Sequence, residues 1–169
     1  MRISMHAMSV EVFTRTLGNL SALLEKGLAH AQQRKFEPSV LLNARLAPDM
    51  FPLTRQVQIA CDVAKTAVAR LAGQEPPRFP DNEASFEELH ARIARTIDYL
   101  KSVPASAVAD TETRDITLTA GGRTLEFKGL EFLQHWAIPN VFFHATTAYA
   151  ILRHNGVELG KRDFLGSAR

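Results

Sequence analysis

Apolar residues recur at steps of three and four in four stretches of the chain and at steps of two in one. Val10, Phe13, Leu17, Leu20, Leu24 and Leu28 predict a first helix from Ser9 to about Arg34, with Ser9 as its N-cap because a hydroxyl there can accept from a free first-turn amide. Leu53, Val57, Ala60, Cys61, Ala64, Val68 and Leu71 predict a second, opened near Asp49 by its carboxylate, with Pro52 tolerated in the first turn and Gly73 as the stop. The third opens on Ser85-Phe-Glu-Glu88, a capping box in which Ser85 and Glu88 satisfy each other's amides, and Leu89, Ile93, Ile97 and Leu100 carry it to Pro104. The fourth runs from about Leu130 to Asn155 and ends on a left-handed Gly156, with Pro139 predicting a kink just before Asn140.

The two-residue period falls between the third and fourth helices. Ile116-Thr-Leu-Thr119 and Arg123-Thr-Leu-Glu-Phe127 alternate around Gly121-Gly122, which supplies the positive φ angles of a tight hairpin turn. So short a ribbon is marginal alone and must lie on the bundle or pair with another copy. Gly73–Asn82, with Pro76, Pro77 and Pro80, reads as a long crossover whose length predicts that helices two and three are not simple hairpin neighbours. The expectation is an all-α fold: a four-helix up-down bundle with a long crossover loop and a short β-hairpin before helix four, forming one domain over residues 1–169.

Composition narrows the partners. With 169 residues and 46% apolar content the chain can fill one core. Its net charge of +2, with the basic residues scattered, leaves no stripe to neutralise a phosphate backbone, so nucleic acid is not expected. The single Cys61 excludes an internal disulfide and suits a reducing compartment. The segment MRISMHAMSVEVF lacks the apolar core of a signal peptide, and the longest apolar run, Ala137–Leu152, is shorter than a membrane span of about 20 residues. These features point to a soluble cytoplasmic protein without membrane contact.

Candidate chemistry concentrates in helix four. Asn140 and His144 are isolated polar side chains one turn apart on an otherwise apolar helix, the spacing with which bundles hold a metal or small ligand. Each has a plainer role: His144 as a core histidine satisfied by Gln58 or Asn140, and Asn140 as the partner of a carbonyl freed by the kink. His135 and Trp136 would line an entrance or cover the bundle's end. Cys61 reads as a buried small hydrophobe, His30, His90 and His154 as solvated, and Asp163 within Gly160–Phe164 as a local ion pair. Neither a nucleophile elbow nor a phosphate-binding glycine loop occurs, and Glu87–Glu88 complement a helix dipole. From Trp136 to Leu152 the helix is apolar nearly all round, so it needs cover on more than one face, from the hairpin or a second subunit.

The ending NVFFHATTAYAILRHNGVELGKRDFLG and the segment LLNARLAPDMFPLTRQVQIACDVAK, set in this helix order, resemble the DinB/YfiT-like superfamily of metalloenzyme-type bundles, and more closely an uncharacterised DinB-like subfamily. The resemblance implies a metal held by three histidines, one on helix two and two in a His-x-x-x-His on helix four. The corresponding positions here are near Gln58, with Asp62 one turn later, and Asn140 and His144. Amides bind transition metals far more weakly than imidazoles, so the resemblance implies a degenerate site with His144 as its one metal-ligand candidate and no cofactor expected. It also implies a homodimer. Three functional expectations follow: a small polar ligand pocket at Asn140, His144 and Gln58; a divergent metal-dependent thiol transferase or isomerase in which His144 joins Asp62 or Asp49 on a divalent ion; and a protein interaction module.

Overall fold

The structure, a computed structural model, describes residues 3–166. Its long helices are α1 (Val12–Arg34), α3 (Leu53–Leu71), α4 (Phe86–Ser102) and α7 (Ile138–His154), with short helices α2 (Ser39–Leu42), α5 (Ala105–Val108), α6 (Gly129–Phe132) and α8 (Lys161–Leu165). Strands β1 (Asp115–Ala120) and β2 (Arg123–Lys128) pair antiparallel, Ile116 opposite Phe127 and Leu118 opposite Leu125. Gly121 and Gly122 both take positive φ, as a two-residue hairpin turn requires. Ile116 and Leu118 point into the core, while Phe127 meets the rings of Phe132 and Trp136, so the ribbon rests on its own bundle.

The long helices run up, down, down and up. Gly27 lies against Phe86 and Leu152, and Ser21 against His90, which makes α1 antiparallel to α4 and parallel to α7. His144 meets Gln56 and Leu71 meets Gly129, which sets α3 antiparallel to α7. Asp62 meets Arg92, and Lys65 and Arg95 enclose one ring, which makes α3 and α4 parallel neighbours. They are adjacent without being a hairpin, so the connection must return along their length. Helices of 19 and 17 residues span roughly 25–29 Å, and about twelve extended residues reach roughly 40 Å. The proline-rich stretch 73–84 therefore has the reach, and it lies in the groove between the two helices. The interior is filled by Phe13, Leu17, Leu24, Leu53, Val57, Phe86, Leu89, Phe132, Val141, Ile151 and their neighbours, all close to fully enclosed.

Helix ends depart from expectation in three places. Ser9 does not cap helix one; a π-turn over Ala7–Glu11 extends the helix upstream, the Ser4 hydroxyl accepts the Ala7 amide, and the buried Ser9 hydroxyl donates to the Met5 carbonyl. Asp49 does not open helix two. It is exposed in a loop, Pro52 stands at the N-cap in extended conformation, and the start is pinned by bonds from Leu53 to Ala44 and from Thr54 to Leu42. The Ser85 cap forms as expected at 3.2 Å, but the Glu88 carboxylate reaches one residue further, to the Ala84 amide.

In helix four, Pro139 has no amide hydrogen and its ring crowds the carbonyl four residues back. The preceding turn widens into a π-turn, Leu133–Ala137, in which the Ile138 amide bonds to Leu133 five residues back. The expected kink is thus an upstream bulge within one continuous helix from Gly129 to His154. Other expected surface groups prove tethered. His90 hydrogen-bonds Ser21, His30 stands edge-on to Phe36, and Asp163 pairs with Lys26 of α1 at 2.6 Å instead of with its basic neighbours, docking α8. His154 is exposed as expected.

Two glycines give opposite expectations. A Cβ on Gly129 would collide with the Thr111 carbonyl, where backbone must move, whereas one on exposed Gly18 meets nothing within 4 Å among the described residues. Gly129→Ala should destabilise the fold by about 2 kcal/mol or more, while Gly18→Ala should stabilise it by about 0.5–1 kcal/mol by lowering unfolded-chain entropy. Urea midpoints of the two variants test this directly.

Candidate functional site

His144 is buried on α7, and its partner is Gln56 of α3, at 2.7 Å from Nδ1. The orientation of that pair is set from behind. Gln56 Nε2 donates to the Phe51 carbonyl at 3.0 Å, which turns its Oε1 toward the imidazole; Nδ1 must then carry the hydrogen, and Nε2 keeps its lone pair. Burial, helped by the positive charge of Arg55, holds His144 below the ordinary histidine range, so it is neutral at pH 7. Phe143 stands edge-on to the imidazole at 5.2 Å and is exposed, as is Phe51 on the loop that holds Gln56, with Arg55 above its ring. The result is a neutral acceptor beside a cation and two exposed aromatic rings.

The other expected members lie elsewhere. Asn140 turns along its own helix and donates to the Trp136 carbonyl at 2.8 Å, the plainer of its two roles. Gln58, two residues on and on another face of α3, accepts from Arg55 and donates to Glu83. Asp62 follows it on the same stripe and binds Arg92 and Lys65, both at 2.9 Å. His135 is exposed, and Trp136 is half-buried against Phe127. Cys61 is enclosed, and burial pushes its thiol up to about 12 against the opposing hydrogen bond with Thr96, so it stays protonated.

Gln58 and Asp62 belong to a second cluster that the sequence reading did not anticipate. Arg92 of α4 is almost wholly enclosed; its Nη1 donates to the Pro80 carbonyl and to both Glu83 oxygens at 2.9–3.1 Å, and its Nη2 meets Asp62 and Asp81 at 2.9 and 2.8 Å. Arg55 pairs with Asp81 from the other side, and Phe79 is held between Lys65 and Arg95, 4.2 and 3.9 Å from its ring centre. Burial raises Asp81 and Glu83, yet the hydrogen bonds and charges of Arg55 and Arg92 on Asp81, and of Arg92 with Gln58 on Glu83, outweigh it and hold both carboxyls below their ordinary range. Both signals were present in the sequence. Gln56 falls on the apolar face between Leu53 and Ala60, and Arg92 interrupts the stripe of Leu89, Ile93 and Thr96.

The positions that resemblance would give to a metal do not make a donor set. His144 is the one imidazole, Asn140 and Gln58 are turned to other partners, and among the described residues no group of three or more His, Cys, Asp or Glu side chains could hold an ion. Asp62 and Asp49 do not repair it, the first being bound by two cations and the second exposed on a loop. Among the described residues, no helix is long and apolar enough to cross a membrane.

This bundle, with its hairpin ahead of the last long helix, places the molecule among the DinB/YfiT-like proteins. The crystal structure of a DinB family member protein from Shewanella denitrificans, at 1.83 Å resolution, matches it with a TM-score of 0.88 and 46% identity over 96% of this chain and 92% of that one. The chain belongs to the family described as Domain of unknown function (DUF1993), whose model matches residues 5–165. No curated protein matches it.

The two clusters predict a two-step acid profile. His144 is depressed in the fold, so its neutral form stabilises the protein above the ordinary value of 6.5 and that contribution drains as the pH falls toward the folded value. Asp81 and Glu83 are also depressed, so their contribution is present above the ordinary 3.8 and 4.5 and is lost as the pH falls through their lower folded values. Urea midpoints measured against pH should show both steps, with His144→Gln weakening the upper one and Asp81→Asn with Glu83→Gln weakening the lower. An upper step unchanged by His144→Gln would contradict the assignment.

Proposed function

We propose that the protein is a metal-independent small-molecule-binding bundle, working as a homodimer. The observation that carries this reading is the relay from the Phe51 carbonyl through Gln56 to His144, which leaves Nε2 as a neutral acceptor. It suits a ligand with one hydrogen-bond donor and a flat apolar body that can rest on Phe51. Arg55 would favour a partial negative charge on that ligand. The same Nε2 could serve as a general base, which keeps an enzymatic reading open without any metal step. The dimer rests on the outer face of α7, where Phe142 and Phe143 remain 38% and 57% exposed in the single chain.

Equilibrium dialysis against zinc and nickel should leave well under one equivalent bound. A full equivalent that disappears in His144→Ala would overturn the metal-independent reading and favour the divergent enzyme. Phenol and indole, used as probes, should shift the His144 ring resonances in proton–nitrogen NMR, an effect absent in Gln56→Leu. Light scattering should give twice the 18.7 kDa chain mass, falling toward one chain mass in Phe142→Ser with Phe143→Ser. A wild-type monomer at micromolar concentration would remove the dimer from the proposal.

A further inference from the structure

The connection between α3 and α4 is held down in an unusual way. Among the described residues, no backbone group in 75–83 pairs with another backbone group. What fixes the segment is the Pro80 carbonyl on Arg92, the ring of Phe79 between two cations, and the carboxylates of Asp81 and Glu83. The surface beneath is cationic: Arg55 and Lys65 from α3, Arg92 and Arg95 from α4, with Asp62 as the one helical carboxylate bonded to Arg92. Glu88 borders the groove but spends its carboxylate on the Ala84 amide.

The fit over Arg92 is incomplete. Among the described residues its Nε is buried with no partner, a defect that any rearrangement supplying an acceptor would relieve. Beside it lies a cavity of about 250 Å³ bordered by Arg92, Arg95, Asn82, Glu83 and Glu88. A buried guanidinium with an unmet donor, a second arginine alongside and neighbouring open space are what recognition of an oxyanion requires. The protein's own acidic segment covers it.

We propose that the crossover acts as an internal ligand: Asp81 and Glu83 occupy a groove on α3 and α4 that accepts a small multivalent oxyanion of the phosphate type when the segment lifts. The carboxylates compete at high effective concentration because they are tethered, so wild-type affinity is the intrinsic affinity reduced by the fraction of molecules with the segment raised. This site is separate from His144 and does not depend on that residue.

Titration calorimetry with inorganic phosphate, against chloride at matched ionic strength, tests it. Asp81→Asn with Glu83→Gln keeps shape while removing the competing charge, and should bind phosphate at least tenfold more tightly than wild type. Adding Arg92→Met should abolish the gain. Equal affinity in wild type and the double variant would overturn the proposal and leave the cluster as a structural staple. Should the double variant fold poorly, the wild-type protein supplies a second readout, because exposed Arg78 offers trypsin a cleavage point within the segment. Phosphate should accelerate that cut severalfold relative to other sites in the same chain, whereas a rate set by ionic strength alone would likewise overturn the proposal.

Discussion

A single guanidinium, that of Arg92, holds the chain's most demanding connection in place. Two neighbouring helices that point the same way cannot be joined by a short turn, so the chain must travel back over the molecule's full height before α4 can begin. An extended proline-rich segment supplies the reach, but among the described residues no backbone group of 75–83 pairs with another. Arg92 replaces those missing bonds. Because it is enclosed, its charge acts where the effective dielectric is lower than in water and where losing one partner leaves the others uncompensated. The surrounding cations and carboxylates nearly balance, and that balance lets so much charge sit over a hydrophobic interior.

The same α3 helix carries the two clusters on different faces. Gln56 faces inward to His144, while Arg55, Gln58, Asp62 and Lys65 face the crossover. Arg55 lies between them, pairing with Asp81 and placing its field on the imidazole. Arg55 thus contributes to both clusters, as an ion-pair partner in one and a nearby charge in the other. Where resemblance implies three imidazoles this chain has Gln58, Asn140 and His144, and the amide that orients His144 is a different one, Gln56. An amide fixed by a backbone carbonyl orients a histidine well but contributes little as a metal ligand.

Much of this was legible from spacing alone. The three- and four-residue steps locate the long helices, and Gly121-Gly122 marks the hairpin turn, because both signals are local consequences of side-chain direction and φ. Helix ends were harder, since Ser9 and Asp49 are plausible caps by residue type while the actual starts are decided by contacts with Met5, Leu42 and Ala44. The short α2 and α5 and both π-turns carry no periodic signal of their own. The ionic cluster was missed for another reason: its partners are separated by up to 37 positions, and only folding brings Arg55 and Arg92 to the same carboxylate. The cue that went unused was position: Gln56 and Arg92 are polar residues standing beside apolar stripes of their helices.

The dependence of the fold on Arg92 is open to one direct measurement, a double-mutant cycle between Arg92→Met and Glu83→Gln followed by equilibrium urea unfolding. A hydrogen-bonded buried pair that anchors the crossover predicts a coupling energy of about 2 kcal/mol or more. Effects that simply add, within about 0.5 kcal/mol, would show that the two groups act independently and that something other than this ion pair holds the connection in its groove.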